Sequence, residues 1–255
     1  MNQFKLFGSK IVLTGANGHL GRALTKGLLD SGAIVLALCR HKENLQSLEV
    51  EYGDRLCIKI VDCRQEDRLQ EAFQSFYEEY GVIDGLINNI YFGARQPQIF
   101  QDEDSILQTI DGSFVSYWLA TRSILPFLNK SSASIVNNGS LWGIVSPDPS
   151  NYLDLNNEPS ISLVASKAAV HQFTKYAAVL LSKENIRVNT IVPGWFPQKR
   201  GVERLDYIEG LCRRIPLKRI GQPEEIVGPV IFLLSQASSY MTGQELIIDG
   251  GYTLM

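Results

Sequence analysis

The stretch Lys10-Ile-Val-Leu-Thr14-Gly15-Ala16-Asn17-Gly18-His19-Leu20-Gly21 decides the fold. Its first residues read as a buried strand, because apolar and β-branched side chains dominate. Glycines then recur at positions 15, 18 and 21. Without side chains, they let the backbone turn tightly and approach a pyrophosphate closely. Beyond them Leu20, Ala23, Leu24, Leu28 and Leu29 share one helical stripe, which Gly32 closes. A helix that starts at such a turn offers free N–H groups and a partial positive charge to phosphates. Gly15, Asn17, Gly18, His19, Leu20 and Gly21 are therefore expected to hold a dinucleotide. His19 stands open between a phosphate contact and an ordinary loop histidine.

Working outward, the same alternation repeats. Short apolar runs at Ala33–Leu38, Leu56–Val61, Ile83–Asn88, Ala133–Asn137, Ile186–Val192 and Glu245–Asp249 are separated by stretches at helical spacing. Strands that are apolar throughout belong to a parallel sheet covered on both faces. Strand alternating with helix, roughly seven times, predicts an α/β chain with a doubly wound, seven-stranded parallel sheet. Right-handed crossovers put all the strand carboxyl ends on one edge, where a ligand binds. The segments Val145–Ile161 and Trp195–Ile215 break the alternation and should lie over that edge. Residues 195–215 read as a substrate lid, with a plain surface connection as the alternative.

The bulk composition narrows the function. The chain has 255 residues, 45% hydrophobic and 20% charged, with a formal net charge of −3. That suits one domain, residues 1–255, with a large buried core. No basic excess exists to neutralise phosphates along a nucleic acid, so no nucleic-acid partner is expected. Cys39, Cys57, Cys63 and Cys212 form no CxxC pair, and with three histidines there is no zinc-like spacing. Reduced thiols, a polar Met1–Gly8 segment and apolar runs too short to span a bilayer read as a cytoplasmic protein without a membrane partner. The second strand ends at Leu38-Cys39-Arg40, with no acid to hold ribose hydroxyls. A guanidinium there suits a phosphate, so Arg40 favours NADP, with NAD as the lesser alternative.

These motifs together resemble the short-chain dehydrogenase/reductase family over about residues 5 to 252. The resemblance implies a Rossmann fold, a nicotinamide cofactor and a small-molecule substrate carrying a hydroxyl or keto group. Asp62 matches the residue that contacts the adenine amine, with Cys63 beside it. Asn88 and Asn89 match the family's Asn-Asn pair, followed here by Ile90 and Tyr91. Pro193-Gly194 is expected to close on the nicotinamide. Ser140, after Ile135-Val-Asn-Asn-Gly, matches the serine that polarises the substrate oxygen. Lys167 in Ser166-Lys167-Ala-Ala matches the lysine that holds the nicotinamide ribose. The departures are as informative. His19 stands where most members carry a glycine. Four residues before Lys167, where the family carries its proton-exchanging tyrosine, the chain has Leu163. The supporting asparagine falls at Ser113. Tyr152 and Tyr91 are the candidate substitute phenols, Tyr152 preferred. Ser238–Gly243 and Asp249–Tyr252 match a C-terminal region that commonly builds a tetramer, so a homotetramer or dimer is expected. Two readings stand at this point. One is an NADP-dependent oxidoreductase with a degenerate site, its loose likeness to a flagellar-sugar subgroup favouring a sugar. The other is a non-catalytic nucleotide-binding protein or regulatory subunit.

Overall fold

The computed structural model describes residues 3–92, 101–148, 159–198 and 205–255. Seven strands form one sheet: β1 Lys10–Thr14, β2 Ile34–Cys39, β3 Leu56–Ile60, β4 Gly85–Asn88, β5 Ser134–Asn138, β6 Arg187–Pro193 and β7 Glu245–Ile248. All neighbours are parallel, in the order β3-β2-β1-β4-β5-β6-β7. The order reverses between β1 and β4, which opens the crevice where a doubly wound sheet takes its ligand. The expected parallel sheet is present, with strand limits moved by one or two residues. Ile83 contributes only an isolated bridge to Leu128 ahead of β4.

Helices cover both faces. They are α1 His19–Asp30, α2 Gln46–Tyr52, α3 Glu66–Tyr80, α4 Glu103–Ile110, α5 Ser116–Ile124, α6 Ile161–Leu181, α7 Leu205–Arg214 and α8 Val227–Leu234. Leu24, Leu28 and Leu29 of α1 pack with Val230 and Leu233 of α8 against Leu13, Val35 and Ile87 on one face. On the other face, Phe73 and Phe76 of α3, Ala120 and Ile124 of α5 and Ala177 of α6 meet Val12, Leu36 and Ile135. Strand residues thus point alternately into two separate cores, which is why their runs are apolar without alternation. No described helix is long and apolar enough to cross a membrane.

Between α4 and α5 the helix widens into a π-helical turn at Asp111–Val115. Such bulges are rare and concentrate at functional sites. This one carries Ser113, the position at which the family's asparagine was expected. The Ser113 Oγ donates to the main-chain carbonyl of Phe92, whose N–H lies 3.3 Å from the same oxygen. The widened turn therefore ties α4 and α5 to the segment that follows β4.

Candidate active site

At the reversal point lies a cavity of about 960 Å³. Its described walls run from the phosphate loop, past Arg40 and Asp62, to Ser140, Leu163 and Lys167. The phosphate end is shaped by backbone. Gly15 has φ +65°, and a Cβ there would sit 2.7 Å from the Asn89 carbonyl oxygen. A Cβ on Gly21 would sit 2.1 Å from the Gly15 carbonyl oxygen. Both contacts are with main chain, so α1 can close on the loop only over glycine. The N-cap of α1 is Gly18, no side chain caps the helix, and its first turn holds no acid. The first-turn N–H groups, unpaired within any helix, are thus left to an anion at the cavity wall.

His19, the first residue of α1, lines the cavity. Burial pushes its pKa below the ordinary value, against the pull of Glu224 and the Pro197 backbone. Its Nε2 is buried with no hydrogen-bond partner among the described residues. An orphaned imidazole nitrogen beside free helix N–H groups fits a phosphate oxygen. Asn17 also lines the cavity, but its side-chain oxygen is already occupied. It accepts from the Asn44 N–H at 3.0 Å and so pins the loop to the segment after β2. Leu20 completes the wall.

Arg40 lies exposed at the cavity mouth, with no ion-pair partner within 4 Å among the described residues. Its guanidinium carbon stands 5.9 Å from the Phe92 ring centre, and that of Arg64 stands 5.5 Å from the same ring. Asp62 is held by Arg64 at 2.6 Å, and this contact keeps its carboxyl below the usual range. Neither Arg64 nor Phe92 was expected from the sequence. Arg64 follows Asp62 by two residues and Phe92 is distant in the chain, so no periodicity marks them. Cys63 is buried, and desolvation pushes its thiol up to about 12, which leaves it an inert part of the wall.

Amides tie the strand ends together. Asn138 Nδ2 donates to Asn89 Oδ1 at 2.7 Å, and Asn89 Nδ2 donates to the Gly15 carbonyl at 3.2 Å. Asn89 thus acts as a strut under the phosphate loop. Pro193 pairs with Ile248, and the Gly194 N–H donates to the Ile248 carbonyl at 2.9 Å. A Cβ on Gly194 would meet the Asp249 backbone at 2.6 Å, so this wall too is set by close main-chain approach.

Ser140 and Lys167 both open onto the cavity. The Ser140 Oγ accepts from the Trp142 N–H at 3.2 Å, capping a short turn at Leu141–Gly143. Lys167 is buried, and desolvation pulls its pKa down to about 7. Its Nζ donates to the Asn138 carbonyl at 2.8 Å and to the Tyr117 hydroxyl at 3.4 Å. Leu163 is one turn earlier on α6, buried and lining the cavity. A leucine can neither give nor take a proton, so the face that carries Lys167 has no acid at this position.

Tyr117 is the residue the sequence did not single out. Its phenol is fully buried, within hydrogen-bond distance of the Ile90 carbonyl at 2.9 Å and the Asn138 carbonyl at 3.1 Å. Burial pushes its pKa well above the ordinary phenol value. It touches Lys167 from behind the described cavity wall and so seats the lysine. Tyr117→Phe is expected to cost about 1 kcal/mol, since it strips a donor from the half-buried Ile90 carbonyl. Urea unfolding checks this; an unchanged midpoint would refute the seating role. Tyr91 lines the cavity and is 67% exposed. Tyr152 lies outside the described residues.

These features define a Rossmann domain built for a dinucleotide, with hydroxyl and amine groups at its far end. The enoyl-(acyl carrier protein) reductase family profile matches residues 15–253. A 3-oxoacyl-(acyl-carrier-protein) reductase of Thermotoga maritima is 34% identical, with 98% of this chain and 100% of that protein covered. A short-chain dehydrogenase from Leptospira borgpetersenii with bound NAD+ superposes at TM-score 0.88 and 26% identity, covering 98% of this chain and 94% of the other. A gluconate 5-dehydrogenase from Burkholderia cenocepacia, in complex with NADP and tartrate, superposes at 0.87 and 25% identity, covering 100% and 98%. The chain belongs to the short-chain dehydrogenase/reductase family of oxidoreductases.

Proposed function

We propose that this protein is an NADP-dependent oxidoreductase acting on a hydroxyl or keto group, with a degenerate active site. The observation that carries the reading is one continuous cavity, running from a helix N-terminus built for phosphate to the Ser140 hydroxyl and the Lys167 amine. Bound there, the nicotinamide supplies hydride chemistry. Ser140 would polarise the substrate oxygen. Lys167, with two inward contacts, has its remaining valence for the nicotinamide ribose. Pro193 and Gly194 would close on the nicotinamide, while Asp62 and Cys63 line the adenine end.

Arg40 supports the phosphate-bearing cofactor, because a guanidinium with no carboxylate within 4 Å among the described residues can grip an added phosphate at the cavity mouth. Arg40→Ala is expected to weaken NADPH tenfold to a hundredfold, about 1.5–3 kcal/mol, and to leave NADH unchanged. Nicotinamide fluorescence titrations of both cofactors measure this. Equal losses for both would remove the argument for NADP, and binding of neither would remove the oxidoreductase reading.

A sugar substrate is supported by the rings at the far end. Trp142 and Trp195 meet edge to face at 5.3 Å, and Tyr207 and Tyr252 stand 6.2 and 6.1 Å from Trp195. Flat apolar faces with polar tips suit a ring that carries both C–H faces and hydroxyls. A substrate lid over residues 195–215 is supported by Trp195, Phe196, Gln198 and Tyr207, which line the cavity. Asp148 pairs with Arg214 of α7, linking that segment to the chain after β5. We also propose a homotetramer or dimer, because Trp118, Tyr176, Val179 and Leu180 expose large apolar side chains on α5 and α6. A strict monomer in size-exclusion chromatography would sink that part.

One observation favours a second reading, a nucleotide-binding protein without turnover. The Lys167 face of α6 carries Leu163 and no phenol.

A further inference from the structure

α6 presents three side chains in successive turns towards β5 and β7: Lys167, His171 and Lys175. Lys167 holds the carbonyl at the end of β5, that of Asn138. Two residues on, the Ser140 N–H has left the sheet ladder. It donates instead to Nε2 of His171, at 3.3 Å. The other ring nitrogen, Nδ1, lies 3.2 Å from Oε2 of Glu245 on β7, close enough for the anion to act on it by charge but without hydrogen-bond geometry. The second oxygen of Glu245 is taken by Lys175 at 2.7 Å. His171 is buried, and the chain packs on its ring without room for a side chain. A Cβ at Gly139 would sit 2.3 Å from Nε2, and one at Gly143 would sit 2.7 Å from it. The turn Leu141–Gly143 and its cap, the Ser140 hydroxyl, are therefore built directly on the imidazole.

We propose that His171 is the positioning residue for Ser140, and that the charge of Glu245 near Nδ1 favours the tautomer that leaves Nε2 free to accept. The chemistry is restrictive. A neutral imidazole has one donor and one acceptor nitrogen. With the proton on Nδ1 facing the carboxylate, Nε2 can take the Ser140 N–H. A protonated ring has donors at both positions, so Nε2–H would face an N–H and the contact would be lost. The charges that bear on the ring are Glu245, Lys167 and Lys175. Desolvation lowers the His171 pKa most strongly, the two lysines lower it further, and Glu245 raises it. The folded pKa lies below the unfolded one, so the clamp contributes fully above about pH 6.5 and is lost as pH falls through the folded value. The hydroxyl at the cavity end thus keeps its place at neutral pH and gives it up in acid. The inference rests on the oxidoreductase reading only in treating that hydroxyl as the group that meets substrate.

Trp142 reports on this turn, because its N–H is held by the Ser140 Oγ. The whole chain would be made with 5-fluorotryptophan and followed by fluorine NMR from pH 8 to pH 5, with resonances assigned by Trp→Phe variants. The Trp142 resonance is expected to show a step with a midpoint below 6.5, separate from any step near pH 7 that Lys167 contributes. His171→Phe should abolish that lower step, and Glu245→Gln should move it to lower pH, since the anion that favours the charged ring is gone. A Trp142 signal that lacks the lower step, or that shows it unmoved in Glu245→Gln, overturns the proposal even if His171→Phe fails to fold. A purely packing role for the ring would leave the pH profile without it. Cofactor binding is read separately by NADPH titration at pH 7.5. Its absence would sink the oxidoreductase reading while leaving the clamp standing.

Discussion

Leu163→Tyr is expected to raise NADPH-dependent turnover by about 10²–10⁴-fold, the usual contribution of a positioned acid–base group. Leu163 lines the cavity one helical turn before Lys167, so both side chains leave α6 on one face. A phenol at this place would have the lysine amine beside it, and the ammonium form favours phenolate. The added ring enters a cavity of about 960 Å³ rather than a filled core, so overpacking should be small. The assay follows NADPH oxidation with a panel of keto-sugars and simple ketones, for wild type and variant, with thermal unfolding as the folding control. Gain by the variant over an inert wild type marks a site that has lost one group and kept the rest. Equal turnover in both would show that another acid already serves, and the claim that Leu163 limits the reaction would be wrong. Binding of cofactor with no turnover in either would favour the nucleotide-binding reading.

Gly21→Ala is expected to weaken NADPH binding by tenfold or more and to cost about 1–3 kcal/mol of stability. Helix propensity alone argues the other way, since alanine is better than glycine in a helix by about 1 kcal/mol. Sterics win here because the new Cβ meets the Gly15 carbonyl at 2.1 Å and the Ala16 carbonyl at 2.8 Å, both main-chain atoms that cannot rotate away. The start of α1 must retreat from the loop, and the free N–H groups move off the phosphate position. Gly228→Ala is the control: nothing lies within 4 Å of its Cβ position, and propensity should dominate. Urea unfolding and fluorescence titration of both variants decide the matter. A Gly21→Ala protein with unchanged affinity would show that the phosphate loop does not bind the cofactor.

Much of this was legible in the chain itself. The glycine turn at 15–21, the apolar runs and their spacing specify a parallel doubly wound sheet, because continuous apolar strands can be buried on both faces only in that arrangement. The local matches at Ser140 and Pro193-Gly194 placed those residues on one edge, since strand ends in such a sheet share a side. That Leu163 stands four residues before Lys167 on one helix was also visible.

What the chain could not disclose depends on partners far apart in sequence. Tyr117 reaches Lys167 across 50 residues, and Arg64 and Arg40 meet over Phe92 only because β2, β3 and β4 end together. His171 reads in sequence as an ordinary residue on a helix. It becomes a ligand for the Ser140 backbone because α6 packs on β6 and on the turn that follows β5, and the carboxylate near its Nδ1 comes from Glu245 on β7, 74 residues later in the chain. Short-range spacing fixes which groups share a strand or a helix face. Hydrogen-bond partnership, burial and the resulting protonation states exist only once the strands are paired and water has been excluded from between them.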